Sequence, residues 1–251
     1  MTAIHDIVRY LDTHLGAARF QDAAINGLQV EGRAEVASIL VGVSACRRLF
    51  EEAISGEYDA VLVHHGLLWD RPRAVVGPLA ERLRLLLANK VSLIAYHLPL
   101  DAHPVDGNNA CLATAIGLLH IEPWGTYRGQ VIGCKGRFEG GRALDALVAD
   151  VDRICGATAL VMGQRKPAIE RVAVCSGGAG DLLDLAIADG ADVYITGEPG
   201  EPSQALAREA GIVVIGAGHH NTERLGVQAL ARRLSADLGI RTRFFDIPNP
   251  V

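Results

Sequence analysis

Six short apolar runs, each rich in β-branched residues, constrain this chain more than anything else in it: SILVGV (38–43), DAVLV (59–63), SLIAY (92–96), RVAVC (171–175), DVYIT (192–196) and GIVVIG (211–216). Runs of this length without polar alternation read as strands covered on both faces. Between most of them lie helical stretches, RRLFEEAISG, LAERLRLLLANK, DLLDLAIADG and SQALAREAG. Strands alternating with such helices form βαβ units around a parallel sheet, so the fold class is α/β. With 49% of 251 residues hydrophobic, enough apolar side chain is available to cover both faces.

The two halves of the chain resemble each other. EEAISGEYDAVLVHHG (51–66) parallels LDLAIADGADVYITGE (183–198), each a helix, then Asp59 or Asp192, then an apolar strand. Upstream, VGVSA (41–45) parallels AVCSG (173–177), which sets Ser44 opposite Ser176. Downstream, His97-x-x-x-Asp101 parallels His219-x-x-x-Glu223, and a helical segment follows each. A period this long points to a duplicated α/β unit and not to a solenoid. The expected division is a first lobe over 1–120, a connection over 121–145 and a second lobe over 146–251. The connection contains Pro123 and several glycines, and its GQVIGCKGRF predicts a hairpin or edge strand. No low-complexity linker separates the lobes, which predicts that they pack as one unit.

Charge and cysteine usage exclude some functions. A formal net charge of -5 argues against a general nucleic-acid binder, which carries a basic stripe. The five cysteines (Cys46, Cys111, Cys134, Cys155, Cys175) are scattered without a C-x-x-C pair, so neither a disulfide framework nor a zinc ribbon is indicated. Ile4, Ile7, Val8 and Leu11 recur at helical spacing among charges, which reads as an amphipathic helix and not a signal peptide. No apolar run is long enough for a membrane span, and a cytoplasmic protein is expected.

The polar residues that interrupt the apolar pattern sit at strand ends, where open parallel sheets bind ligands. They are Ser44, His64, His65, His97, Ser176, Glu198 and His219. In VLVHHGLLW (61–69) a strand ending at Val63 would leave His64 and His65 in the following turn, with Gly66 supplying backbone freedom. In AYHLPLDAHPVDGNNA (95–110), Pro99 argues against a regular helix and Asp101 offers a hard oxygen ligand. In GAGHHNTERLG (216–226), Asn221 or Thr222 can cap a helix carrying Glu223, and His219 and Glu223 stand four apart. His64, His65, Asp101, His219 and Glu223 are a ligand set for two divalent ions. Mixed N/O ligation suits zinc, iron, manganese, cobalt or nickel. Glu223, long and bidentate, is the better candidate for a bridge. His5, His14, His103 and His120 read as surface or hydrogen-bonded histidines, and His220 as turned outward.

These segments resemble the Nif-three-like family, whose members are also called GTP cyclohydrolase I type 2 homologs. The matching blocks are DAAINGLQVEG (22–32), VLVHHGLLW (61–69), HLPLDAHPVDGNNACLA (97–113), YITGE (194–198), GAGHHNTERLG (216–226) and the C-terminal FFDIPNP. The likeness spans essentially the whole chain. The 121–145 segment is too short for the domain inserted in some relatives, so it matches the short bacterial form. The resemblance implies two intertwined α/β lobes, a ring-shaped homohexamer and a dinuclear metal site on His64, His65, Asp101, His219 and Glu223. It implies no settled reaction.

The function expected from these residues is a metal-dependent hydrolase that acts on a small anionic or nucleotide-like substrate through metal-bound water. Glu198 is the candidate proton carrier, and His97 the candidate for orienting substrate or supporting the metal. Arg71 and Arg73 can grip an anion or simply be solvated. SGGAGD (176–181) can cradle a phosphate at a helix start or form a tight turn, and it lacks the dinucleotide and P-loop glycine patterns. Neither Ser44 nor Ser176 lies in a G-x-S-x-G elbow, so no serine nucleophile is indicated. The alternative is a non-catalytic metal-binding or regulatory protein, with a DNA-binding role ranked third.

Overall fold

The computed structural model describes residues 1–71 and 73–251. Two units make up the α/β chain: residues 1–100 with 227–247, and residues 101–226 with 248–251.

In the first unit, strands Ser38–Ser44, Ala60–His65 and Ser92–Ala95 run parallel and adjacent in that order. Arg241–Phe244 adds a fourth parallel strand beside Ser38–Ser44, and Gly27–Val30 pairs antiparallel with Ser92–Ala95. Both faces are covered, as the unbroken apolar runs require. Ile39, Val41, Leu62 and Ile94 pack against Ile4, Ile7, Leu11 and Leu15 of the helix Ile4–Leu15, and against Val227, Leu230 and Leu234. Alternate residues Leu40, Val61, Val63 and Leu93 face the other way, toward Leu49, Phe50 and Ala53 of the helix Arg47–Ser55 and Leu86 of the helix Gly77–Asn89.

The second unit has a six-stranded sheet. Ile169–Cys175, Val193–Thr196 and Val213–Gly216 are parallel, and Leu160–Gly163 closes one edge antiparallel to Val213–Gly216. On the other side Gln130–Arg142 pairs antiparallel with Ile169–Cys175 and forms a hairpin with Leu119–Tyr127. Val172, Val174, Val193, Ile195, Val213 and Ile215 pack on Leu144, Leu147 and Val151 of the helix Leu144–Cys155.

Two features differ from the sequence reading. The hairpin expected within residues 121–145 is present, but it belongs to the second sheet and does not merely connect two lobes. Its pattern is that of a half-exposed strand, with Ile132, Cys134 and Phe138 buried and Lys135 and Arg137 outward, so no long apolar run marks it. The unit boundaries also fall elsewhere than 120 and 146. Val227–Leu234 packs in the first core and Arg241–Phe244 joins the first sheet, so the C-terminal segment completes the N-terminal unit.

The paired Asp59 and Asp192 do the same work in each sheet. Each precedes a central strand and accepts hydrogen bonds from backbone N–H groups where the neighbouring strand starts. Asp59 Oδ2 accepts from Ala37 N at 3.0 Å, Ser38 N at 3.1 Å and Ser38 Oγ at 3.0 Å. Asp192 Oδ2 accepts from Glu170 N at 3.1 Å and Arg171 N at 2.9 Å. Each carboxylate thereby ties two parallel strands in register at their N-terminal ends. Removing it strands these donors, at a cost of about 1–3 kcal/mol. Asp59→Ala and Asp192→Ala should therefore each lower the unfolding free energy measured in urea by that amount, and an unchanged value would show that the N–H groups find water instead.

Candidate metal centre

The strand Ala60–His65 runs through both histidines instead of stopping at Val63. Successive strand residues point to opposite faces, so the two imidazoles diverge. His64 is fully buried, and its Nδ1 lies 2.8 Å from the Tyr96 carbonyl oxygen. A carbonyl only accepts, so Nδ1 carries the proton and Nε2 is left with its lone pair, the tautomer a metal ligand needs. His65 Nδ1 is 3.1 Å from the Oγ of Ser44, its register partner on the next strand.

The structure brings His97 to the same place. Its ring centroid is 5.1 Å from that of His64 and 5.6 Å from that of His65. One ligand atom from each of His64, His65 and His97 lies within 4.8 Å of the others. Imidazole nitrogens bind a divalent ion at about 2.0–2.1 Å, so a group this tight can close on one ion. The donor chemistry and the His64 tautomer both fit a metal.

Groups that the sequence reading left without a role hold these rings. The Asp22 side chain is nearly inaccessible and accepts four hydrogen bonds: from His97 Nδ1 at 2.9 Å, Leu98 N at 2.9 Å, Ala24 N at 3.0 Å and Asn26 Nδ2 at 3.0 Å. Asn26 Oδ1 takes the His97 N–H at 2.7 Å. Gln29 Oε1 accepts from Leu67 N and Leu68 N, bracing the turn after His65. Gly66 is there for room and not for a left-handed backbone, since a Cβ on it would lie 2.3 Å from the Gln29 amide. The block DAAINGLQVEG contains Asp22, Asn26 and Gln29, and their polar side chains amid apolar residues were the available signal.

The second unit holds the carboxylates. Asp101 sits in the short helix Leu98–Ala102, where Pro99 is tolerated because the first turn needs no N–H from it. Its Oδ1 accepts from Asn108 Nδ2 at 2.9 Å and from Ser176 Oγ at 3.3 Å. Asn109 links the Asp101 carbonyl, at 3.2 Å, to Ser176 N, at 2.6 Å. His219 opens the one-turn helix His219–Thr222, and Glu223 is the joint before the helix Arg224–Leu238. Thr222 caps no helix start, because its Oγ1 donates back to Gly218 and His219 carbonyls.

His219 lies between two carboxylates, with Nε2 at 3.2 Å from Glu223 and Nδ1 at 2.5 Å from Glu198. Burial pulls its pKa down, but the hydrogen bonds and charges of Glu223 and Glu198 outweigh this and raise it to about 9. The position favours a cation, whether a proton or a metal ion. Glu198 therefore has a partner of its own and is placed to orient His219 through Nδ1. In SGGAGD, Gly177 has φ +65° and no room for a side chain: a Cβ there would lie 2.4 Å from Glu223 Oε1. Its N–H is already given to Thr222 Oγ1 at 3.1 Å, which leaves it no part in a phosphate cradle.

Other candidates take different places. Arg71 and Arg73 are exposed, and among the described residues neither side chain makes a hydrogen bond or ion pair. His220 is buried and not turned outward, its N–H bonded to the Val251 carbonyl. His5 and His120 pair with Glu31 and Glu139 in solvent. None of the five cysteines forms a disulfide among the described residues, and burial pushes the Cys134 and Cys155 thiols up to about 12, far from thiolate ligands.

Comparison with known proteins agrees over the full chain. A model of the family described as Duf34/NIF3 (NGG1p interacting factor 3) matches residues 2–250. The chain is 42% identical over 251 residues to the GTP cyclohydrolase 1 type 2 homolog of Allochromatium vinosum, covering 100% of this chain and 98% of that one. Among solved structures it resembles protein ybgI, described as of unknown function, with TM-score 0.92, 37% identity and 100% of both chains covered. TTHA1606 of Thermus thermophilus gives TM-score 0.92 at 36% identity, again over 100% of both chains. No helix among the described residues is long and apolar enough to cross a membrane.

Asp22 yields a pH prediction. Burial raises its pKa, but the bonds from His97, Ala24 and Asn26 outweigh that and hold it at about 2. The folded value lies below the unfolded value of about 3.9, so its stabilisation is complete above that value and is lost as pH falls toward 2. Asp22→Ala should cost about 2–4 kcal/mol at pH 7. The gap from the parent protein should narrow between roughly pH 4 and pH 2 in denaturant titrations. A gap independent of pH would assign the loss to packing.

Proposed function

This chain belongs to the Duf34/NIF3 family, and from that premise we propose that it binds two divalent metal ions and hydrolyses a small anionic or nucleotide-like substrate. The observation that carries the reading is the buried His64, its Nδ1–H given to the Tyr96 carbonyl so that Nε2 keeps its lone pair. Its proposed co-ligands are His65, Asp101, His219 and Glu223. Divalent ions, when bound, supply Lewis-acid polarisation and activate water at neutral pH. Within the chain, Asp22 fixes the His97 ring and Glu198 fixes that of His219. Asp101 and Glu223 offset half the charge of two such ions, and an anionic substrate completes the balance. The cyclohydrolase wording in the relatives' names is compatible with attack on a ring carbon. A cytoplasmic homo-oligomer, hexameric by the same resemblance, is part of the proposal.

A second reading is a non-catalytic metal-binding or regulatory protein. The burial of His64, Glu223 at 3% exposure and Asp101 at 8% favours it, since closed sites suit retention of an ion. An exchangeable coordination position separates the two readings.

Elemental analysis of protein purified without chelators should approach about two ions per chain, the count a two-ion site requires. Glu223→Ala should lower both, and retention of both would remove Glu223 as a bridge. On a substrate found in a panel of nucleotides, cyclic amides and phosphoesters, His65→Ala should cost roughly a thousandfold in rate. Turnover that survives chelation and His65→Ala would refute the hydrolytic reading.

A further inference from the structure

The outer face of the second unit's sheet carries two arginines set directly against each other. Arg137, in Gln130–Arg142, is the register partner of Arg171, in Ile169–Cys175. Opposed residues share a face with Cβ atoms about 4.5–5.5 Å apart, and like charges there repel. Arg171 approaches Asp192 at 3.7 Å. Among the described residues, Arg137 makes no side-chain hydrogen bond or ion pair. Arg171 is thus shared with Asp192 while Arg137 is left without a protein carboxylate, and an anion seated beside Arg137 meets both guanidinium groups.

The surroundings make that place a site. Lys135 faces the same side two residues earlier, its ammonium 3.2 Å from Asp189 and 3.6 Å from Glu122. Asp189 Oδ2 also accepts the indole N–H of the buried Trp124 at 2.8 Å, so this carboxylate is already occupied. Opposite Lys135 stands Ala173, whose small side chain leaves space open. The result is a cleft of about 380 Å³ lined by Lys135, Arg137, Arg171 and Trp124, together with the carboxylates of Glu122 and Asp189, both of which pair with Lys135. That volume is within the range of small-molecule sites, about 300–1,000 Å³. None of the candidate metal ligands borders it.

We propose that this cleft binds a phosphate-bearing small molecule, with the phosphate between Arg137 and Arg171 and the rest of the molecule along Trp124. A phosphate dianion neutralises both guanidinium groups, and its oxygens match their forked N–H donors better than a single carboxylate does.

The chain has two tryptophans, so Trp69→Phe in the full-length protein leaves Trp124 as a local reporter. Titration of that protein with phenyl phosphate should change Trp124 emission saturably, with half-saturation below about 1 mM. Inorganic phosphate should compete, and benzoate should bind roughly tenfold more weakly or worse. Adding Arg137→Ala should weaken phenyl phosphate roughly tenfold, and Arg137→Ala with Arg171→Ala should abolish its binding, with circular dichroism and oligomeric mass unchanged. In phosphate-free buffer Arg137→Ala should not lower the thermal midpoint, because it removes a repulsion. Absence of saturation, or equal affinity in the double variant, would overturn the proposal. Equal binding of benzoate would overturn the phosphate assignment. A changed oligomeric mass in the double variant, with phenyl phosphate without effect, would make the cleft an interface between copies and also overturn it.

Discussion

The register of three parallel strands decides where the imidazoles go. Ser44 pairs with His65 and Val63 pairs with Ala95, so the ends of Ser38–Ser44, Ala60–His65 and Ser92–Ala95 arrive side by side. The Tyr96 carbonyl, just past the third strand, then meets His64 Nδ1. A slip of one residue would exchange the faces of every side chain on the strand, sending His64 out and Val63 away from its core. Asp59, which ties Ala37 and Ser38 to the start of the central strand, acts against that slip from the opposite end of the sheet.

Much of this was legible from residue type alone. The parallel strands announce themselves as apolar runs because both of their faces are covered. The histidines stand out because nothing apolar in a strand calls for them. The half-exposed Leu119–Tyr127 and Gln130–Arg142 were harder to read, since alternation diluted by glycine carries little signal. The C-terminal Arg241–Phe244 was harder still. Its membership in the first sheet rests on pairing with a strand some two hundred residues away, which no local pattern encodes.

Side-chain roles followed the same division. His64, His65, Asp101, His219 and Glu223 could be proposed as ligands from their chemistry. The groups that hold His97, the turn after His65 and the Ser176 N–H could not, because Asp22, Asn26, Gln29 and Asn109 act through distant partners. Asp22 reaches His97 across 75 positions, and its four accepted bonds appear only once the loop is folded. Gly66 and Gly177 teach a related lesson. Both looked like turn glycines, yet each leaves space for a neighbouring polar side chain, Gln29 in one case and Glu223 in the other.

In the proposed centre His64 presents Nε2 to a metal because the Tyr96 carbonyl holds its other nitrogen. Anomalous diffraction from crystals grown with manganese, iron(II) or zinc tests it most directly. A strong peak is expected about 2.0–2.3 Å from His64 Nε2, with a second peak close by. No peak at His64, or peaks on the cysteine sulfurs instead, would contradict it.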